Sequence, residues 1–353
     1  MNAATLPIIS MTALESESGL AELRHAASEV GFFYLIDHGI TSAAQQLYLA
    51  LSRAFFQLPM SDKQAVDMIH SPHFRGYNAV GNEMTAGRLD AREQFDWMND
   101  EQALPVDQLQ HPWQKLIGPN LWPSAMPALK PELTDLQNKM SHITVTLLQK
   151  LCEALGVSGN ALDHTIGAQP YTHAKLIRYP AQPTQQQGVG AHKDPGYLTL
   201  VMQDEQSGLK VERNSVWVDV APIPGALVVN IGELLELASN GFLKATNHKV
   251  ESPTHGQERY SIAFFMAAQL SATVPVLPLP AEFKAKALGP STDPNNPLLT
   301  DVGNNVLKGR LRSHPHVTRK HYSDELLQQL KTKGAAMPRS MTDISCGAIA
   351  YSN

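Results

Sequence analysis

From residue 171 onward the hydrophobic period of this 353-residue chain falls to two, and turn residues cut it into short pieces. That pattern constrains the fold more than any other feature, because a strand that shows one face to a core must alternate. Strands are predicted over 174–179, 191–203, 208–213, 216–221, 226–231, 245–251 and 259–267. Leu227-Val228-Val229 and Ile262-Ala263-Phe264-Phe265 are strongly β-prone, and Gly188, Gly190, Gly208, Pro224-Gly225, Gly241 and Gly256 mark breaks. Seven or eight short strands with frequent turns favour a sandwich or barrel over a βαβ sheet.

Ahead of that region helical signals dominate. Leu6-Pro7-Ile8-Ile9 predicts a short strand, and the following helix carries Leu20, Leu23, Ala27 and Val30 up to Gly31. Residues 32–36, Phe-Phe-Tyr-Leu-Ile, read as a buried strand. Thr41 is placed as the N-cap of a second helix with the stripe Ala44, Leu47, Tyr48, Leu51, Phe55 and Leu58, stopped by Pro59. Residues 70–100 predict loops and a strand, and the prolines between 105 and 131 forbid a long helix there. Met140, Ile143, Leu147, Leu148, Leu151 and Leu155 place a helix over 132–155. Residues 281–305 predict an extended excursion, and Leu326, Leu327 and Leu330 a late helix at 323–333. The expected division is a helical and mixed region over 1–135, a helix plus β core over 136–280 and an extension over 281–353, all within one structural domain.

Composition narrows the function classes. Twenty-eight Lys and Arg against 33 Asp and Glu give a formal charge of −5, which argues against a nucleic-acid or anionic-membrane partner. Two cysteines, Cys152 and Cys346, make neither a disulfide framework nor a Cys-rich zinc site. No apolar run reaches the ~18 residues of a membrane span, and Met1–Ser10 lacks a signal-peptide pattern, so a soluble cytoplasmic protein is expected. P-loop, H-E-x-x-H, G-x-S-x-G and C-x-x-C signatures are absent, and Gly188-Val189-Gly190 lacks the third glycine of a dinucleotide fingerprint. Oligomeric state is not legible.

Chemistry concentrates in Gly190-Ala191-His192-Lys193-Asp194-Pro195-Gly196. On an extended strand His192 and Asp194 share a face and could reach one metal. His248, in the predicted strand over 245–251, qualifies as a third ligand. Two imidazoles and one carboxylate on one face of an octahedral metal form the ligand set of non-haem Fe(II) oxygenases, with adjacent positions open for a chelating co-substrate and O₂. Arg259 and Ser261 again share a strand face, and Arg offers a carboxylate a bidentate fork. A strand beside that of His248 would hold such an anion site a few ångströms from the metal. A surface His/Asp pair, a satisfied core histidine at 248 and a salt bridge from Arg259 to Glu233 or Glu258 are the bland alternatives. Asn230 reads either as a partner of the ligands or, preferred here, as a strand-end turn residue, and His314, His316 and His321 read as a loop-lining or solvated set.

H-x-D, a distant His and then R-x-S resembles the isopenicillin N synthase-like branch of the 2-oxoglutarate/Fe(II) dioxygenases. The likeness extends to residues 31–40 (Gly-Phe-Phe-Tyr-Leu-Ile-Asp-His-Gly-Ile), Leu176-Ile177-Arg178-Tyr179-Pro180, Val229-Asn230-Ile231-Gly232-Glu233 and Asn247-His248-Lys249-Val250. The resemblance implies a mainly β fold, a double-stranded β-helix (jelly-roll) core with flanking helices. It implies Fe(II) on His192, Asp194 and His248, and 2-oxoglutarate with its far carboxylate on Arg259 and Ser261 and with Tyr179 alongside. It places Arg75, Tyr77, Glu93 and Phe95 in segments that face substrate. A small residue replaces the carboxylate ligand in halogenases of the family, so Asp194 implies hydroxylation, desaturation or cyclisation of a small molecule with O₂. Two alternatives stay open: an oxidase without 2-oxoglutarate, as isopenicillin N synthase is, and a non-catalytic ligand-binding module on the same scaffold.

Overall fold

The computed structural model describes residues 6–323 apart from 255, 292, 294 and 295. The expected late helix at 323–333 therefore lies outside the described residues, save Ser323. The first strands are β1 (Ile8–Ser10), β2 (Phe32–Ile36), β3 (Gly76–Asn78), β4 (Met84–Thr85), β5 (Arg88–Leu89) and β6 (Glu93–Met98). The later ones are β7 (Tyr171–Tyr179), β8 (Gln187–His192), β9 (Leu198–Gln203), β10 (Leu209–Arg213), β11 (Val216–Asp219), β12 (Leu227–Ile231), β13 (His248–Glu251) and β14 (Arg259–Ala267). An eight-stranded sheet runs β1-β2-β12-β9-β14-β7-β6-β3, a four-stranded sheet runs β11-β10-β13-β8, and β4-β5 is a separate hairpin. All pairings between these strands are antiparallel except β1 with β2.

Helices cover the outside: α1 (Glu17–Glu29), α2 (Ser42–Phe56), α3 (Met60–Gln64), α4 (Leu129–Ala154) and α5 (Asp163–Ile166) precede β7, and α6 (Glu233–Ala238) follows β12. After β14 come α7 (Ala281–Lys284), α8 (Val302–Ser313) and α9 (Pro315–His321). Ser16 and Thr41 cap α1 and α2 by accepting from the amides of Gly19 and Ala44. Leu47 is 53 % exposed, against expectation; α2 instead buries Gln45, Tyr48, Leu49, Ser52, Phe55 and Phe56, a face rotated by one residue. The extended excursion expected up to residue 305 gives way to α8 at Val302, and neither α8 nor α9 was foreseen. Asp301 starts α8 by capping the Asn304 amide. Among the described residues no helix is long and apolar enough to cross a membrane.

Two cores flank the large sheet. Leu176, Leu200, Val229, Ile262 and Phe264 point to one side and pack with Leu147, Leu148 and Leu151 of α4 and Phe55 of α2. Ile177, Val228 and Ala263 point to the other side, where they join Val189, Leu209, Val211 and Val250 of the small sheet. The two sheets thus enclose an interior, the jelly-roll arrangement, and helices seal the outer face of the larger one. Period-two alternation decides which residues enter that interior: 173, 175, 177 and 179 on β7, 199 on β9, and 259, 261, 263 and 265 on β14. The predicted strand over 191–203 is broken in two. Pro195 and Gly196 turn the chain between His192 and Leu198, and Gly196 sits so close to the Met266 carbonyl that a Cβ would lie 2.6 Å from its oxygen.

Candidate metal centre and the cavity beside it

His192 ends β8 and His248 opens β13, and the register pairs them directly across the small sheet. Their ring centroids are 4.3 Å apart. Asp194 is not on the strand, as its spacing from His192 suggested; it lies in the turn after β8 and returns its carboxylate toward both rings. Asp194 Oδ1 is 3.5 Å from His192 Nε2 and 3.7 Å from His248 Nε2. One ligand atom from each residue falls within 4.8 Å of the others, and no other group of three His, Cys, Asp or Glu does so among the described residues.

The remaining polar atoms of the three side chains are all engaged. His192 Nδ1 donates to the Gly190 carbonyl at 2.7 Å and His248 Nδ1 to the Thr246 carbonyl at 3.2 Å. A carbonyl can only accept, so Nδ1 carries the hydrogen and each Nε2 presents a lone pair. Asp194 Oδ2 accepts from Thr199 Oγ1 at 2.6 Å and Asn230 Nδ2 at 2.8 Å, leaving Oδ1 free. Asn230 is therefore an orienting partner of Asp194, not a strand-end turn residue. Three lone pairs converge with no hydrogen-bond donor between them. Nitrogen and oxygen donors without thiolate fit a divalent first-row metal such as iron. The cis edges of an octahedron with bonds of ~2.1 Å measure about 3 Å, so the 3.5 and 3.7 Å from Asp194 Oδ1 to the two rings need only a small contraction.

Electrostatics separate the two rings. Burial lowers the His248 imidazole to about 4, and the neighbouring His192 adds repulsion. Burial also disfavours charge on His192, but its contact with Asp194 outweighs this and raises it above its usual value. Burial alone would raise Asp194; His248, His192 and the Thr199 hydroxyl together hold it well below the usual carboxylate range.

Arg259 and Ser261 open β14, which pairs with β7 and β9 of the large sheet and not with the strand of His248. Arg259 and Ser261 thus face the candidate metal ligands from the opposite sheet, correcting the expected neighbouring strand. Arg259 is 1 % exposed, donates to Gln203 Oε1 at 2.8 Å and Ser261 Oγ at 3.4 Å, and lies 5.0 Å from the Tyr179 ring centre. Its Nε has no hydrogen-bond partner. The salt bridge to Glu233 or Glu258 does not form; Glu258 binds Arg178 instead. The buried Asp204 attracts the Arg259 guanidinium without forming a direct ion pair, so an anion that joins Arg259 would offset the cost of its burial.

A cavity of about 310 Å³ opens beside His192 and Asp194, at the small end of ligand sites. Its walls include Arg92, Lys175, Phe265 and Arg310. Arg75, Tyr77, Glu93 and Phe95 do not line it: Arg75 binds the carbonyls of His73, Leu116 and Asn99, and Tyr77 donates to Glu93 at 2.6 Å. His173, passed over in the sequence, stacks on Phe265 and hydrogen-bonds Asp96 at 2.6 Å and Arg310 at 2.6 Å. Of the histidines near the chain's end, His314 is fully buried 3.7 Å from Glu83, and His321 binds the Ile69 carbonyl. The signal for the cavity wall was the alternation His173-Ala174-Lys175-Leu176-Ile177 on β7, in which the polar residues face inward.

Two family models match: the N-terminal region of the non-haem dioxygenases of morphine synthesis over residues 6–125, and the 2OG-Fe(II) oxygenase superfamily over 171–268. The chain is 31 % identical to the 2-oxoglutarate-dependent dioxygenase frbJ of Dothideomycetidae sp. (strain 11243), covering 90 % of this chain and 91 % of that one. It is 33 % identical to homoarginine-6-hydroxylase 2-ODD-233 of Oryza sativa subsp. japonica, over 76 % of this chain and 81 % of the relative. The crystal structure of JOX2 in complex with 2OG, Fe and JA superposes with a TM-score of 0.69 at 23 % identity, covering 90 % of this chain and 89 % of that one.

Proposed function

Because the chain belongs to the 2OG-Fe(II) oxygenase superfamily and is a 2-oxoglutarate-dependent oxygenase of small molecules, we propose that His192, Asp194 and His248 hold its iron. Arg259 and Ser261 hold the far carboxylate of 2-oxoglutarate, with Tyr179 against that end of the co-substrate. One observation carries the assignment: every polar atom of the triad that does not face the shared point already has a partner, so three lone pairs are left to bind one ion.

Each side chain then has a defined task. The Gly190 and Thr246 carbonyls fix the rings so that Nε2 stays unprotonated toward the metal. Thr199 and Asn230 fix Asp194 so that a single oxygen is offered. Bound iron and 2-oxoglutarate supply the oxidising power, using O₂ and releasing succinate and CO₂. Arg259 neutralises the incoming carboxylate inside a dry interior, where a charge-assisted pair is strongest. The core over 136–280 carries this chemistry, and Glu83–Ala86 with Arg92 from the region before it and residues between Asn296 and Ser313 from the region after it help to wall the cavity. The rice relative's name points to hydroxylation as the outcome to test first.

O₂-dependent succinate release tests the reading and separates it from an oxidase that needs no 2-oxoglutarate. It should be lost in H192A and D194A. In R259Q the KM for 2-oxoglutarate should rise roughly 10- to 100-fold, the worth of a charge-assisted hydrogen bond, with iron binding kept. Succinate release that persists in H192A would refute the assignment.

A further inference from the structure

On the wall of the cavity beside the metal ligands cations outnumber carboxylates, the latter being Glu83, Asp194 and Glu233. Six cations face it: Arg92, Lys175, Lys193, Lys308, Arg310 and Arg312. Three of them are held by three acids. Arg92 lies 2.8 Å from Glu83 and 3.3 Å from Asp90, Lys175 lies 3.0 Å from Glu83, and Arg310 lies 3.5 Å from Asp96. Lys193 pairs with Glu236 at 3.4 Å. Lys308 is attracted chiefly by Glu233 and more weakly by the exposed Asp293. Arg312 is left. It sits one turn beyond Lys308 on α8, half-buried, on the cavity wall, and it forms no hydrogen bond or ion pair among the described residues.

The chemistry around the proposed metal does not absorb this charge. Two positive charges on iron and one each on Arg259 and Arg53 are matched by Asp194, Asp204 and the two carboxylates of 2-oxoglutarate. A wall rich in cations, with one guanidinium that no ion pair holds among the described residues, favours an anionic occupant, and the planar fork of Arg matches a carboxylate. Accepting on the site assigned above, we infer that the primary substrate is a small carboxylic acid whose carboxylate binds Arg312, with its reacting carbon at the other end of the cavity, beside His192 and Asp194. Lys308, four residues earlier on the same helix, reinforces the field without being the partner, since its Nζ donates to the Pro297 carbonyl. Arg312 is thus a specificity-determining residue, presented by the helix that closes the cavity.

The test uses a panel of monocarboxylic acids, each beside its methyl ester, with the full-length protein, Fe(II) and saturating 2-oxoglutarate. Saturation prevents the panel acids from reporting on the Arg259 site. Two readouts are taken: substrate-stimulated succinate release, and equilibrium binding without O₂. The wild type should take acids and reject their esters. R312Q should raise the KM and Kd for an acid roughly 10- to 100-fold, leave kcat within about twofold and abolish the acid–ester difference. R312K should recover part of the loss, because it keeps the charge without the fork, and R319Q, on the exposed face of α9, should match the wild type. Thermal unfolding of R312Q checks that the fold is intact. Wild-type preference for esters or amines, or a KM that R312Q moves equally for acid and ester, would overturn the inference. The visible charge-transfer absorption of the iron–2-oxoglutarate chelate is followed in parallel. Its loss in the wild type would count against the metal and co-substrate site, whereas its persistence with no acid preference counts against Arg312 alone.

Discussion

At the residue scale the centre is defined as much by what surrounds the three ligands as by the ligands. Thr199 and Asn230 bind the same oxygen of Asp194 and leave the other one for the metal. T199V and N230A should each weaken iron binding roughly 10- to 100-fold with little change in melting temperature, as read by anaerobic titration. The three candidate ligands could be picked out from their types, order and spacing, and the structure brings their ligand atoms within 4.8 Å of one another. Asn230 was legible only as the less favoured of two readings, because a single Asn at a strand end reads as turn chemistry until the sheet places Asp194 beside it. A second prediction concerns His314, fully buried and lowered to about 3 chiefly by burial, which disfavours its charge. The folded state keeps this ring neutral while the unfolded chain protonates it below about 6.5. The unfolded state then binds more protons, so stability falls as pH drops from about 6.5 toward about 3. Between about pH 7.5 and about pH 5 the group should cost about 2 kcal/mol, and H314Q should flatten that part of the unfolding profile in urea titrations at the two pH values.

At the element scale, alternation places the site. Arg259, Ser261 and Phe265 face the interior from β14 while Ile262, Phe264 and Met266 face the helices. Strand positions from 208 to 267 were legible because turn residues bound them; β14 matches its predicted range of 259–267 to the residue. The break within 191–203 was hidden, since β-prone residues flank Pro195-Gly196 on both sides. The inward direction of His173 and Lys175 was hidden for a related reason: with helices on one face of β7 and a polar cavity on the other, both faces are buried. The start of α6 is tied to the turn after β8. A Cβ at Gly232 would lie 2.1 Å from the Gly196 carbonyl oxygen and 3.1 Å from that of Asp194. G232A should therefore shift the turn that carries Asp194 and lower iron affinity at least roughly tenfold. L147A, in the packed face of α4, should instead lose about 2–5 kcal/mol of stability and keep iron affinity unchanged. Chemical denaturation and iron titration of both variants separate the two effects.

At the scale of the whole molecule, two sheets of unequal size create an interior with the proposed metal ligands on one wall and Arg259 and Ser261 on the other. The large sheet is braced by α1, α2 and α4, so its inner face can carry charged and polar groups that a thinner structure would leave in water. The class of fold followed from strand count and turn spacing. The closing helices α8 and α9 did not, because Val302–Ser313 has only a few apolar positions and follows a segment rich in Pro and Asn. Tertiary packing against Trp113 and Leu270 decides that segment: Gly303 meets the Trp113 ring and the Leu270 carbonyl so closely that a Cβ would lie 2.4 Å and 2.6 Å away. The substrate cavity depends on this late segment, which is why the chemistry could be read from the sequence and the cavity could not.

The most direct test is an anaerobic titration of Fe(II) into the protein with 2-oxoglutarate, followed by the charge-transfer absorption of the chelate. Saturation is expected at one iron per chain, with the band requiring both components and disappearing in D194A and H248A. Saturation at the same stoichiometry with an unchanged band in either variant would contradict the assignment.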